Sequence, residues 1–127
     1  MTARIPSTFR NHQIVKRNSS IHKAWALEVA KQAKQVLQFF EKERPDDNRP
    51  RQAIEAIRSW ARGQRELGLL EVRTLSLSSH AAARASKTNA AKFAARAAGQ
   101  AVATWHVPTH ATAVPKYVQK AMLANKS

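Results

Sequence analysis

The chain contains no cysteine in 127 residues. That excludes a disulfide frame, a thiol nucleophile and any zinc site built on sulfur. Three glycines are too few for a turn-rich β domain. Aromatic residues make up only 6% of the chain, so a core must rest on a few large anchors: Trp25, Phe39, Phe40, Trp60, Phe93, Trp105 and Tyr117. No apolar run approaches the ~20 residues of a membrane span, and the N-terminus carries no apolar secretory core. The expectation is a cytoplasmic protein without a membrane segment. The most telling absence is of acid. The last carboxylate is Glu71, and beyond it Arg73, Arg84, Lys87, Lys92, Arg96, Lys116, Lys120 and Lys126 stand without a single Asp or Glu. With a formal net charge of +14, some surface either awaits an anionic partner or stays strongly solvated.

What is present is helix-forming. Hydrophobic residues reach 43%, much of it alanine, and 12 of the 23 residues from Ala81 to Ala103 are alanine. Alanine has the best helix propensity and lets a neighbouring backbone approach closely. Residues 1–19 hold Pro6 and four basic side chains (Arg4, Arg10, Lys16, Arg17) without an acid, and read as a basic, irregular arm. A helical domain over 20–127 follows. Its first helix runs from Ser20 to Arg44, capped by Ser19 or Ser20, with Trp25, Val29, Ala33, Val36, Leu37 and Phe40 as its apolar stripe. Asp47 or Asn48 caps a second helix, Pro50 suits its first turn, and Gly63 marks its end. Ala53, Ile54, Ile57, Trp60 and Ala61 form its inner face.

A third helix starts at Gln64 or Gly68 and runs to Ser86, with Leu67, Leu70, Leu75, Leu77 and Ala81 as a less regular inner face. A fourth covers Thr88 to Trp105. Gly99 and Ala103, one turn apart, mark a close helix crossing. Pro108 suits the start of a fifth helix, with Val114, Val118, Ala121 and Met122 inward. Pro115 conflicts with it: either that helix kinks, or a short turn precedes a final helix from Pro115 to Asn125. The pattern predicts a single all-α domain of about five helices, a bundle or an orthogonal array, with the Ala-rich helices three and four closely packed.

Three polar constellations are candidate sites. Arg49 and Arg51 stand at the start of helix two. Arg51, Glu55, Arg58 and Arg62 then share one face, with Glu55 able to pair with Arg51 or Arg58; this is either an anion site or a solvated, salt-bridged face. His80 and Arg84, one turn apart among alanines, suit an interhelical hydrogen-bond network. His106 and His110 have the spacing of a helical metal pair, but Pro108 lies between them and no glutamate accompanies them. A polar junction of Gln100, Thr104, His106 and His110 between helices four and five is the better reading. No metal and no cofactor is called for. The chain shows no phosphate loop, no nucleophile elbow and no carboxylate pair suited to hydrolysis.

Several strings in order resemble a family of small bacterial all-helical proteins named for immunity. They are Asp47-Asn-Arg-Pro-Arg51 followed by Ala53-Ile54-Glu55; Trp60-Ala-Arg-Gly63; His80-Ala-Ala-Ala-Arg84; Ala95-Arg-Ala-Ala-Gly-Gln-Ala-Val-Ala-Thr104 with His106; and His110-Ala111. The resemblance covers roughly residues 21–122. It implies a non-enzymatic protein that binds and neutralises a toxin made by the same cell, and it brings no catalytic site. The matching positions Arg49, Arg51, Glu55, Arg62, His80, Arg84, Gln100, Thr104, His106 and His110 become candidates for the partner or ligand site. The chain departs from the family pattern in its strong positive charge and in Pro115. A basic inhibitor gains no steering toward a basic nuclease, so the expected toxin surface is acidic. Two other readings stand beside this one. A basic accessory protein would bind nucleic acid non-specifically through its arm and C-terminal helices. A small-ligand binder or enzyme would need His80, His106 and Glu55 to converge on one pocket.

Overall fold

Ser19 starts the first helix: its side chain accepts a hydrogen bond from the His22 N–H at 3.1 Å, after a turn in which Asn18 adopts φ 65°, a left-handed conformation that Asn tolerates better than most residues. Helix α1 (Ser20–Glu43) ends where Pro45 forbids continuation. The computed structural model describes residues 15–126, so most of the basic arm expected over 1–19 lies outside the described residues. Helix α2 (Arg49–Ala61) carries Pro50 in its first turn. Its end is a Schellman turn: Gly63 has φ 73°, its N–H reaches the Trp60 carbonyl at 3.0 Å, and the Gln64 N–H reaches the Ser59 carbonyl at 2.9 Å. A glycine is favoured there because a Cβ strains positive φ.

Helix α3 (Leu69–Ala85) begins after Gly68. Helix α4 (Asn89–Ala103) is capped by the Thr88 hydroxyl, which accepts from the Ala91 N–H. A 3-10 turn over Pro108–Thr112 leads into α5 (Ala113–Asn125). This settles the conflict at Pro115. It falls in the first turn of α5, where a missing N–H costs little, and the short turn lies upstream of it.

The fold is an all-α single domain, and among the described residues there is no strand. Its centre is α4, which packs against α1, α2, α3 and α5 and buries Ala90, Ala91, Ala94, Ala95, Ala97, Ala98, Gly99, Ala101 and Val102. Small side chains are what allow four helices to share one axis. The crossing with α3 is close enough for serine hydroxyls to reach main-chain carbonyls: Ser79 Oγ donates to Ala95 O at 2.8 Å and Ser76 Oγ to Gly99 O at 3.0 Å. An alanine helix buries little apolar area per residue, so cohesion falls on the large side chains around it. Phe40, Ile54 and Ile57 are fully buried, and Trp25, Trp60 and Trp105 nearly so. Truncating such a residue costs about 3–5 kcal/mol.

The apolar stripes of α1 and α2 lie inside as expected, with Ala61 partly covered. Helix α3 differs. Leu70 is 81% and Leu77 66% exposed, although the sequence suggested an inward role for both. Their inward counterparts are Val72, Ser79, Ala82 and Ala83. Among the described residues α3 packs mainly on α2 and α4, which leaves the side bearing Leu70 and Leu77 open to solvent.

Candidate functional site

The candidate residues separate into three groups. Arg49 and Arg51 belong to an ion-pair frame. Arg49 Nη2 lies 2.7 Å from Asp47 Oδ2, and Arg44 joins the same carboxylate at 3.3 Å. The Arg49 guanidinium, helped by the Arg49 N–H, holds Asp47 down at about pKa 2. Arg51 makes two 2.7 Å bonds to Glu41 of α1, and this lowers the Glu41 pKa. Both arginines tie the α1–α2 connection together.

Arg62 lines a groove between α1 and α2, and Glu55 pairs with two of the groove's cations. Glu55 pairs with Arg58 at 2.8 Å and Lys34 at 3.9 Å, not with Arg51. The groove has a volume of about 650 Å³. Leu27, Ala24 and Ala30 give it an apolar floor, and Lys31, Lys34, Arg58 and Arg62 line its sides.

The third group gathers on the outer edge of α4. His80 of α3 lies against the backbone of Gly99, so close that a Cβ there would sit 2.7 Å from its Nε2. Arg84 follows one turn along α3. On α4, Arg96 and Gln100 flank Gly99. The 3-10 turn brings His110, whose Nδ1 is 2.8 Å from Gln100 Oε1; His110 therefore carries its proton on Nδ1, since that oxygen only accepts. His106 precedes the turn and faces His110 electrostatically. Thr104 is buried at the end of α4, donating its hydroxyl to Gln100 O. The structure thus joins His80, Arg84, Gln100, His106 and His110, with Thr104 beneath.

Every ionisable group in this third cluster is basic. Burial pushes the His80 pKa down to about 4, assisted by Arg96, Arg84 and His110. Burial also lowers His110, with His106 adding to the effect. At neutral pH His80 is therefore neutral, while the guanidiniums of Arg84 and Arg96 keep their charge. The Nδ1 atoms of His80 and His106 are buried without a hydrogen-bond partner. Glu55 is not among the groups facing His80, so the convergence required by an acid–base pocket of His80, His106 and Glu55 does not occur. Among the described residues, no group of three or more His, Cys, Asp or Glu side chains is placed to hold a metal ion, and no helix is long and apolar enough to cross a membrane.

Two residues of consequence were not singled out in the sequence. Arg96 stands inside a quoted string but is not among the candidate residues. His22 is fully buried and links the start of α1 to the end of α4. Its position on the stripe of Trp25, Val29 and Phe40 was the available signal.

No curated protein and no solved structure matches this chain. Residues 14–127 match the sequence family described as Imm-5 like putative immunity protein. With nearly the whole chain matched and the motif residues gathered in one fold, the protein belongs to that family.

Proposed function

We propose that this immunity-type protein acts without catalysis, by covering an acidic surface of a partner protein with the face formed by the outer sides of α3 and α4. The observation that carries this reading is the separation of charge. Glu41, Glu43, Asp47, Glu55 and Glu71 are engaged by ion pairs or hydrogen bonds in the first part of the fold. The face bearing Arg73, Arg84, Lys92 and Arg96 has no carboxylate after Glu71 to balance it. Leu70 and Leu77 lie on the same side of α3 as Arg73 and Arg84, at spacings of three, four and seven residues. Exposed leucines among arginines are what an interface uses: apolar area for affinity, guanidiniums for specificity and steering.

A toxin made by the same cell is the partner this reading implies, met in the cytoplasm. The uncompensated charge would also attract nucleic acid, so the test must separate the two. The purified protein is used as bait in its own cell lysate, with and without nuclease, alongside the Arg84→Glu and Arg96→Glu variants. One stoichiometric protein that survives nuclease and is lost with either variant supports the reading. Ribosomal or nucleoid proteins that vanish with nuclease would replace it with nucleic-acid binding. Tighter partner binding at higher salt would overturn the acidic contact surface.

A further inference from the structure

We infer that the basic cluster on α4 is an oxyanion seat, in which Arg84 and Arg96 hold one carboxylate or phosphate group beside His80 and His110. The inference deepens the partner-binding reading by naming what the face recognises, and it can be tested without the partner.

The argument begins with geometry. Contact of His80 with Gly99 fixes the α3 side of the cluster against one turn of α4. Arg96 and Gln100 stand three residues before and one residue after that contact. The bond from His110 to Gln100 fixes the other side. Arg84 stands one turn beyond His80. Groups from three elements therefore converge on one stretch of α4. A solvated charge face has no need to be cross-braced in this way.

The second step is electrostatic. Like charges brought together cost free energy unless a counter-charge joins them. Here the facing groups are Arg84 on α3, Arg96 on α4, and His110 and His106 at the 3-10 turn. Neither α4, the turn nor α5 contains an acid. The nearest elements with acids have spent them: Glu43 of α1 accepts from the Lys87 and Thr88 N–H groups at the start of α4, and Glu71 pairs with Arg65. No side chain of the cluster supplies the missing anion.

The third step is hydrogen-bond capacity. Buried polar atoms in folded proteins nearly always find partners, yet the Nδ1 atoms of both His80 and His106 have none. Two guanidiniums add unused planar donors, and guanidinium donors match the oxygens of carboxylate and phosphate. A single oxyanion supplies the missing counter-charge and takes up the unused guanidinium donors.

Such a seat predicts linkage. An anion beside His80 and His110 favours their charged forms, so binding raises their titration midpoints and tightens as pH falls. The experiment follows the histidine ring resonances by NMR across a pH series at constant ionic strength. The probes are inorganic phosphate and an end-capped tetra-aspartate peptide, each against chloride. The expected result is an upward shift of the His80 and His110 midpoints of roughly half a unit to one unit. Arg84→Gln, an exposed change that leaves the fold intact, and Arg96→Gln should each weaken probe affinity about ten-fold, whereas Arg62→Gln in the α1–α2 groove should not. A response to the peptide alone assigns the seat to protein carboxylates; a response to phosphate alone assigns it to phosphate. Midpoints that match chloride with both probes overturn the inference, as does a response that both Arg84→Gln and Arg96→Gln leave intact. In either case, protein capture that depends on Arg84 and Arg96 would still stand by itself.

Discussion

His22 Nε2 lies 2.6 Å from the carbonyl oxygen of Thr104, a bond that spans 82 residues. The other ring nitrogen accepts the Asn18 N–H at 3.0 Å. A backbone N–H can only donate and a carbonyl can only accept, so the neutral tautomer with its proton on Nε2 is the one that fits. The ring also meets Trp60 edge-on, with centroids 4.9 Å apart. Removing it leaves a cavity, an orphaned carbonyl and an orphaned N–H. His22→Ala should therefore destabilise the protein by about 2–4 kcal/mol in urea unfolding. A loss below about 0.5 kcal/mol, the size of a surface substitution, would show that the contact is incidental.

Acid should weaken the fold well before its carboxylates titrate. His22, His80 and His110 are all shifted below the ordinary histidine value of 6.5, chiefly by burial. The unfolded chain then takes up protons that the folded chain refuses. Stability is full above pH 6.5, drains as pH falls toward the folded values, and levels off once the folded histidines also protonate, near pH 4 for His80. His80 alone contributes at most about 3 kcal/mol, less where solvent screens it. Denaturant midpoints at pH 7.5, 6.0 and 4.5 should fall in sequence, and His80→Gln should flatten the decline. Equal midpoints at all three values would mean that the histidines are solvated.

The helices were legible because their ends carry strong local chemistry. Ser19 and Thr88 cap with their own hydroxyls, and Gly63 closes α2 with a conformation that other residues resist. The stripes of α1 and α2 were legible for a similar reason: large side chains recur at a helical period. What failed was the inner face of α3. Alanine and serine form its true inner surface, and neither announces burial, while Leu70 and Leu77 carry the hydrophobicity outward. The candidate site was legible only as separate strings. That His80 and Gln100 share a face depends on the α3–α4 crossing, which Gly99 sets and no periodicity encodes.

Gly99 should resist substitution because of His80. Alanine normally gains about 1 kcal/mol over glycine within a helix. Here its Cβ would lie 2.7 Å from His80 Nε2 and 2.9 Å from Cε1, and the ring is hemmed in on a crowded crossing. Gly99→Ala should lower stability by about 1–3 kcal/mol. With His80→Ala already present the clash is gone, and the same change should become neutral or stabilising. A double-mutant cycle measures this coupling directly. Additive effects would place His80 away from Gly99 in solution.

The two ion pairs flanking the α1–α2 connection should differ in strength despite similar geometry. Arg51 and Glu41 meet at 2.7 Å, but their side chains are 45% and 29% exposed, so Arg51→Ala should cost about 0.2–1 kcal/mol. Asp47 is 11% exposed and does more: it accepts from Arg44, from the Arg49 guanidinium and from the Arg49 N–H at the start of α2. Losing it removes a helix-end acceptor together with a charge partner for two arginines, and Asp47→Ala should cost about 1–2 kcal/mol. Its carboxyl pKa falls from 3.8 to about 2 on folding, so its contribution is full above pH 3.8 and fades as pH drops toward 2. At pH 7 the Asp47 variant should unfold at clearly lower denaturant than the Arg51 variant; the reverse order would make the exposed pair the stronger brace.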